Sequence, residues 1–180
     1  STLVLIIVGM GVLAFTSADT LYNRLESIHR IDLPALDYLL EADRDYQQLL
    51  VAERSMIFTN VDSELFAQLV QTYEENLAQA KERMGKFAAL DQTEEEKALY
   101  ADYLEAQKVW ESVSKQVVDG RKEDTREGRR LALDLATGQA NDRFEAMRDH
   151  IDKLTELILE EAGLHKQQAN AVYKQLIVLI

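Results

Sequence analysis

Cysteine is absent from this chain, and proline occurs once, at Pro34. Without cysteine there is no disulfide framework, thiol nucleophile or thiolate metal ligand. One proline and seven glycines, with Gly9 and Gly11 inside the first apolar run, leave little to interrupt a helix. Strand-like alternation never lasts beyond a few residues, and β-branched residues are sparse away from the two ends. An all-α fold follows. Basic residues are outnumbered, 20 against 32 acidic, for a net charge of −12. The basic face that a nucleic-acid binder needs is therefore missing. No Ser-His-Asp set, glycine-rich phosphate loop or pair of catalytic carboxylates stands out, which argues against an enzyme. No cofactor and no metal is expected.

What the chain does have is apolar sequence at its two ends. Ser1 to Ala18 carries no charge and includes Leu3-Val4-Leu5-Ile6-Ile7-Val8, and Gln175-Leu176-Ile177-Val178-Leu179-Ile180 closes the chain. A bilayer core takes ~20 apolar residues, so residues 1–15 read as most of one transmembrane span and residues 175–180 as the start of a second. Residues 16–174 read as one helical sensor domain, with both its ends on the same membrane face. Two plainer readings compete. The first run resembles a signal peptide with small residues at Thr16-Ser17-Ala18, and the tail resembles the last turn of a core helix.

Local signals divide the central region into four helices. The first runs to about Thr59, where Asn60-Val61-Asp62-Ser63 makes a turn with Asp62 or Ser63 as N-cap. The second covers about Glu64 to Ala89. Thr93 and Glu96 form a capping box that opens the third, which is expected to end near Asp119-Gly120. Arg121 to Gly128 reads as a solvated charged loop, and the fourth helix runs on from there. The first and fourth helices each cover about 45 residues, roughly 68 Å, as an up-down-up-down four-helix bundle between two membrane anchors requires. Pro34 is expected to mark the base of the bundle, below which those two helices continue as a stem into the transmembrane spans.

Periodicity assigns the faces. Leu39, Ala42, Tyr46, Leu49, Glu53 and Met56 follow a 3-4 spacing on the first helix, and Leu133, Ala136, Ala140, Phe144, Met147, Ile151, Leu154 and Ile158 do so on the fourth. A second seam, Leu36, Leu40, Asp43, Gln47, Leu50, Arg54 and Ile57, is apolar at its ends and polar inside, so it is expected to face a second copy of the chain. Its polar groups must be hydrated, paired or liganded. Counting levels from the membrane sets Arg44 opposite Arg143 and Phe144, so that Asn141, Arg143 and Arg148 complete a pocket whose arginines suit a carboxylate. The competing reading is a layer of salt bridges, such as Asp43 with an arginine.

The segment Leu33-Pro34-Ala35-Leu36-Asp37-Tyr38-Leu39-Leu40-Glu41-Ala42-Asp43-Arg44-Asp45-Tyr46-Gln47-Gln48-Leu49-Leu50-Val51-Ala52-Glu53-Arg54 resembles the first helix of four-helix-bundle sensor domains in bacterial methyl-accepting chemotaxis proteins. The resemblance implies a homodimeric periplasmic ligand-binding domain held in the inner membrane, followed in the full-length receptor by a HAMP region and cytoplasmic signalling helices. It also implies a ligand site at the dimer interface, with arginines from the first helix and polar groups from the fourth. The ligand-binding candidates are thus Asp43, Arg44, Gln47, Arg54, Asn141 and Arg143, and the ligand is a small organic acid or amino acid, or else a periplasmic binding protein. A sensor histidine kinase shares the layout and is the alternative output.

Glu26 and His29 have the spacing of one half of a di-metal bundle site and fall level with Glu161 and His165. A di-iron bundle needs two such motifs and two further glutamates. Pairing between stem helices is the better reading, with a metal-binding bundle the alternative from another class. His150 has no evident partner in sequence.

Overall fold

The structure is a computed structural model and describes residues 2–179. Among those residues there are six α-helices and one π-helical turn. They are α1 (Thr2–Ser27), the π turn (Ile28–Asp32), α2 (Leu33–Phe58), α3 (Glu64–Ala88), α4 (Glu94–Glu123), α5 (Arg126–Thr137) and α6 (Gln139–Leu179). The chain divides into two compact units, residues 37–155 and residues 1–36 with 156–180.

The unit of residues 37–155 is a four-helix bundle. On α2, Asp43 and Arg54 pair with Arg148 and Asn141 of α6, so these helices run antiparallel. Tyr46 and Glu53 of α2 bond to Tyr103 and Ser114 of α4, rising together, so α2 and α4 are parallel. Tyr73 of α3 meets that same Ser114, while Glu74 of α3 meets Lys122 and Lys81 meets Glu111, in the antiparallel sense. The up-down-up-down order follows from these pairs.

The expected stripes form the core. Leu39, Ala42, Tyr46, Leu49, Glu53 and Met56 are buried on α2, as are Ala136, Ala140, Phe144, Met147, Ile151 and Leu154 along α5 and α6; Ile158, in the other unit, is buried as well. Trp110 sits at the centre, edge-on to Tyr46 at 5.4 Å and to Phe144 at 5.6 Å between ring centroids. Leu133 departs from its stripe and is 41% exposed. The second seam also splits. Leu50 is buried and Ile57 packs on a cluster of Val113, Val117, Ala132, Ala136 and Ala140, so both serve the bundle itself. The line left exposed on α2 takes Leu40 and Arg54 from that seam and adds Arg44, Val51 and Phe58 beside it.

Two turns match their signals. Ser63 accepts from Phe66 N–H at 3.1 Å as N-cap of α3. Thr93 Oγ1 accepts from Glu96 N–H while Glu96 Oε2 accepts from Thr93 N–H, closing the box that starts α4.

The expected loop over Arg121 to Gly128 is overturned. Helix α4 continues through Gly120 to Glu123, Asp124 takes the left-handed conformation (φ 51°), and Thr125 caps α5 by accepting from Gly128 N–H. The reversal is tight because two glycines meet in it. A Cβ on Gly120 would lie 2.8 Å from Gly128 O, and one on Gly128 would lie 2.6 Å from Gly120 O. Arg121 in this stretch is buried, while Lys122, Glu123, Arg126 and Glu127 lie on the exposed faces of two helices, so charge density did not signal a loop. The fourth leg is also interrupted at Gly138, between α5 and α6.

In the other unit, Pro34 explains the π turn. Proline lacks an N–H, and its ring crowds the carbonyl four residues back, here that of Arg30. The preceding turn widens, with Leu33 N–H reaching back to Ile28 O. Asp32, at the end of this turn, is buried and pairs with His165 Nδ1 of α6 at 2.9 Å. His165 thus has Asp32 as a partner, and Glu26 pairs with Arg30 four residues on. Apolar side chains of α1 are exposed, Leu5, Val8, Leu13 and Phe15 among them. Among the described residues no helix is long and apolar enough to cross a membrane. Ser1 and Ile180, at the outer ends of the expected spans, lie outside the described residues.

Candidate functional site

All six candidate site residues lie in the bundle of residues 37–155, and the structure distributes five of them over three places, with Arg143 apart. Arg54 and Asn141 come together. Arg54 Nη2 donates to Asn141 Oδ1 at 2.6 Å, and both line a groove of about 350 Å³ with Ile57 and Phe58 of α2 and Leu133, Ala136 and Thr137 of α5. Its wall is mostly apolar, with one guanidinium and one amide at its polar end.

Arg44 and Gln47 line a different groove, of about 590 Å³, on the α3 side of α2. Gln48, Val51, Ala52, Leu69 and Thr72 complete this almost wholly apolar surface. Arg44 is held by its own helix, near Glu41 at 3.6 Å and Asp45 at 3.4 Å. Asp45 is buried and is also paired with Arg83 of α3, whose Nε meets Glu41 at 2.8 Å. The two arginines and two carboxylates of that cluster balance in charge.

Asp43 forms the third place, a two-pronged clasp with Arg148 at 2.5 and 3.2 Å. Its hydrogen bond to Asp43 raises the Arg148 pKa further, so the guanidinium stays charged. This is the salt-bridge layer that competed with the ligand pocket in the sequence. Arg143 is exposed on α6.

The committed arginines single out Arg54. Its partner is a neutral amide, so its positive charge is not cancelled by that bond. A carboxylate placed in the groove would find a fork donor at one end and a hydrocarbon wall along its body.

Two buried polar groups were not picked out as sites from the sequence. Arg121 is only 3% exposed and closes the end of α2, donating from Nε to Met56 O at 2.9 Å and from Nη2 to Thr59 O at 2.9 Å. Its third nitrogen meets Asp124 at 3.2 Å, and Phe66 lies under the guanidinium. Glu53 is fully buried and accepts from Ser114, whose Oγ lies 2.8 Å from Tyr73 Oη. The signal for both was in the spacing. Glu53 interrupts an apolar stripe, and Arg121 continues the α4 series Tyr103, Gln107, Trp110, Ser114 and Val117.

Among the described residues no group of three or more His, Asp or Glu side chains is placed to hold a metal ion. No curated protein matches the chain. One family model does, that of the four helix bundle sensory module for signal transduction, over residues 1–173. The bundle topology, the core stripes and that match agree: the chain belongs to the four-helix-bundle sensory modules of signal transduction.

Proposed function

We propose that this sensory module is the extracytoplasmic ligand-binding part of a transmembrane chemotaxis receptor, and that its ligand is a small organic acid held by Arg54. The observation that carries the reading is the uncommitted guanidinium of Arg54 at the mouth of an apolar groove, where Arg44 and Arg148 are already neutralised by carboxylates. The carboxylate pairs with Arg54, Asn141 orients the guanidinium, and Ile57, Phe58 and Leu133 cover the apolar part of the ligand.

The exposed line Leu40, Val51 and Phe58 on α2 is the face a second copy covers, and Arg54 sits on that face. Ligand and dimer contact then share one surface. Membrane attachment through the apolar ends of the chain would give the exposed side chains of α1 a hydrocarbon environment. Because the groove is built from α2 on one side and α5 and α6 on the other, a ligand there biases the position of α2 against α6. Packed helices shift by ~1–2 Å between discrete arrangements, provided the ligand binds them unequally.

The test is a thermal-shift screen of organic acids and amino acids, followed by calorimetric titration of Arg54→Ala. Losing a charge-assisted pair costs ~1.5–3 kcal/mol, so affinity should drop about 10- to 150-fold while the fold is kept. Arg44→Ala should bind within about threefold of the parent, since Arg44 is spoken for by Asp45 and Glu41. Equal affinity in Arg54→Ala and the parent would move the site elsewhere.

A further inference from the structure

We propose that Glu53 is a proton-binding site through which the bundle senses pH: protonated, it rests uncharged at the end of a hydrogen-bond chain across three helices, and ionised, it forces that layer to hydrate and loosen. This inference stands apart from the carboxylate-binding reading and does not use the Arg54 groove.

The geometry comes first. Ser114 of α4 donates to Glu53 Oε2 of α2, so the Tyr73 hydroxyl of α3 is left to donate to Ser114 Oγ. The chain of donors therefore runs Tyr73 to Ser114 to Glu53 and ends on one carboxyl oxygen. The other, Oε1, is buried and meets no hydrogen-bond partner among the described residues. A carboxylate cannot rest there without cost, because a buried ion needs pairing or water. A neutral carboxylic acid costs less, because it has no charge to desolvate.

Each neighbouring element adds to this or leaves it unchanged. On α2 the adjacent cation is Arg54, whose guanidinium is bonded to Asn141. From α3 comes the Tyr73 phenol, and from α4 the Ser114 hydroxyl, with the carboxylates Glu111 and Asp119 acting on Tyr73. Arg121, further along α4, is consumed by Met56 O, Thr59 O and Asp124. The α5–α6 leg packs alanines, Ala132, Ala136 and Ala140, onto the α4 valines flanking Ser114. Burial, opposed only in part by the Ser114 bond and by Arg54, pushes the Glu53 carboxyl up to about 7.

The sign follows from proton binding. Unfolded, Glu53 loses its proton near the ordinary 4.5, and folded it does so near 7. Between those values the folded chain holds more protons, so stability falls as pH rises through the window and levels off above it. Glu53 also lies between Ala52 and Arg54, which line the two grooves on either side of α2, so a loosened layer is felt at both.

The experiment compares thermal unfolding of the whole chain and of Glu53→Gln by circular dichroism from pH 5 to 9. Gln keeps an acceptor for Ser114 and cannot ionise. The variant should match the parent at pH 5 and exceed its melting temperature by roughly 5–10 °C at pH 8.5. Fluorescence of Trp110, the single tryptophan and one turn from Ser114, gives a second readout in the parent alone. It should show a transition with a midpoint close to 7 that persists in His150→Gln. Parallel melting curves across pH, or a flat Trp110 signal between pH 5.5 and 8.5, would overturn the proposal. A fluorescence transition abolished by His150→Gln would do the same.

Discussion

Arg121 illustrates how one residue can close a helix end. The last carbonyls of a helix have no intrahelical donors, and at the end of α2 two of them, on Met56 and Thr59, accept from one guanidinium. The positive charge also faces the negative end of the helix dipole. Arg121→Met keeps the length and removes every donor, so it should cost ~2–4 kcal/mol in urea unfolding, as expected when buried acceptors lose a charged partner. Arg121→Lys should fall between, since one ammonium cannot serve two carbonyls and Asp124 as a planar fork does. A loss under about 1 kcal/mol for Arg121→Met would show that water replaces it. The sequence contained this residue in the right 3-4 register, but its neighbours Lys122, Glu123 and Asp124 made the segment look solvated. Glu53 was hidden differently. It stood openly in a core stripe, yet nothing in one sequence says whether a polar core residue is paired, hydrated or left half satisfied.

At the scale of elements, caps and stripes were legible because they depend on residues close in sequence. Ser63, Thr93 with Glu96, and the 3-4 patterns of α2 and α6 all lie within one helix or its first turn. The crossing of α4 with α5 was not, because it depends on two glycines from different helices facing one another. Gly120 looked like a helix stop and proved to be a contact point. The π turn was equally hidden, being a local widening that only Pro34 hinted at. The closeness of Arg54 and Asn141 was legible in the sequence, while the side-chain choices of Asp43, Arg44 and Arg148 depended on distances that level counting does not resolve. The glycines give a prediction in which sign alone separates the explanations. If Gly120 and Gly128 were merely helix positions, alanine would stabilise each by ~0.5–1 kcal/mol. With a carbonyl of the facing helix in the way, Gly120→Ala and Gly128→Ala should instead each destabilise by ~2–4 kcal/mol in urea unfolding. The double variant should cost less than both together, because one separation of the helices relieves both clashes. Gly85, helical and exposed with open space around it, is the control and should gain stability as alanine.

For the whole molecule, charge and exposed apolar surface act in opposite directions. Each copy carries a net charge of −12, so two copies repel at low ionic strength. The α2 face that would join them offers Leu40, Val51 and Phe58, the last 86% exposed, and its Arg44 is already neutralised within its own chain. Attraction is therefore apolar and repulsion is long-range and screenable. The Debye length falls from roughly 20 Å at 20 mM salt to about 4–5 Å at 0.5 M, which removes most of the repulsion and leaves the apolar contact intact. Self-association of the chain should accordingly tighten with salt, opposite to an interface made of salt bridges. Phe58 should carry much of it. Burying a phenylalanine side chain is worth ~1.5–3 kcal/mol, and a two-fold contact buries two, so Phe58→Ala should weaken the dimer by at least about tenfold. Sedimentation equilibrium over a wide range of protein concentration, at both salt levels, measures this directly. A ligand bound on the same face would shift the equilibrium further toward the dimer by mass action if its site is completed there. Dimers that loosen as salt is added, or a chain that stays monomeric at every concentration and salt, would rule out the α2 face as the surface where two copies meet.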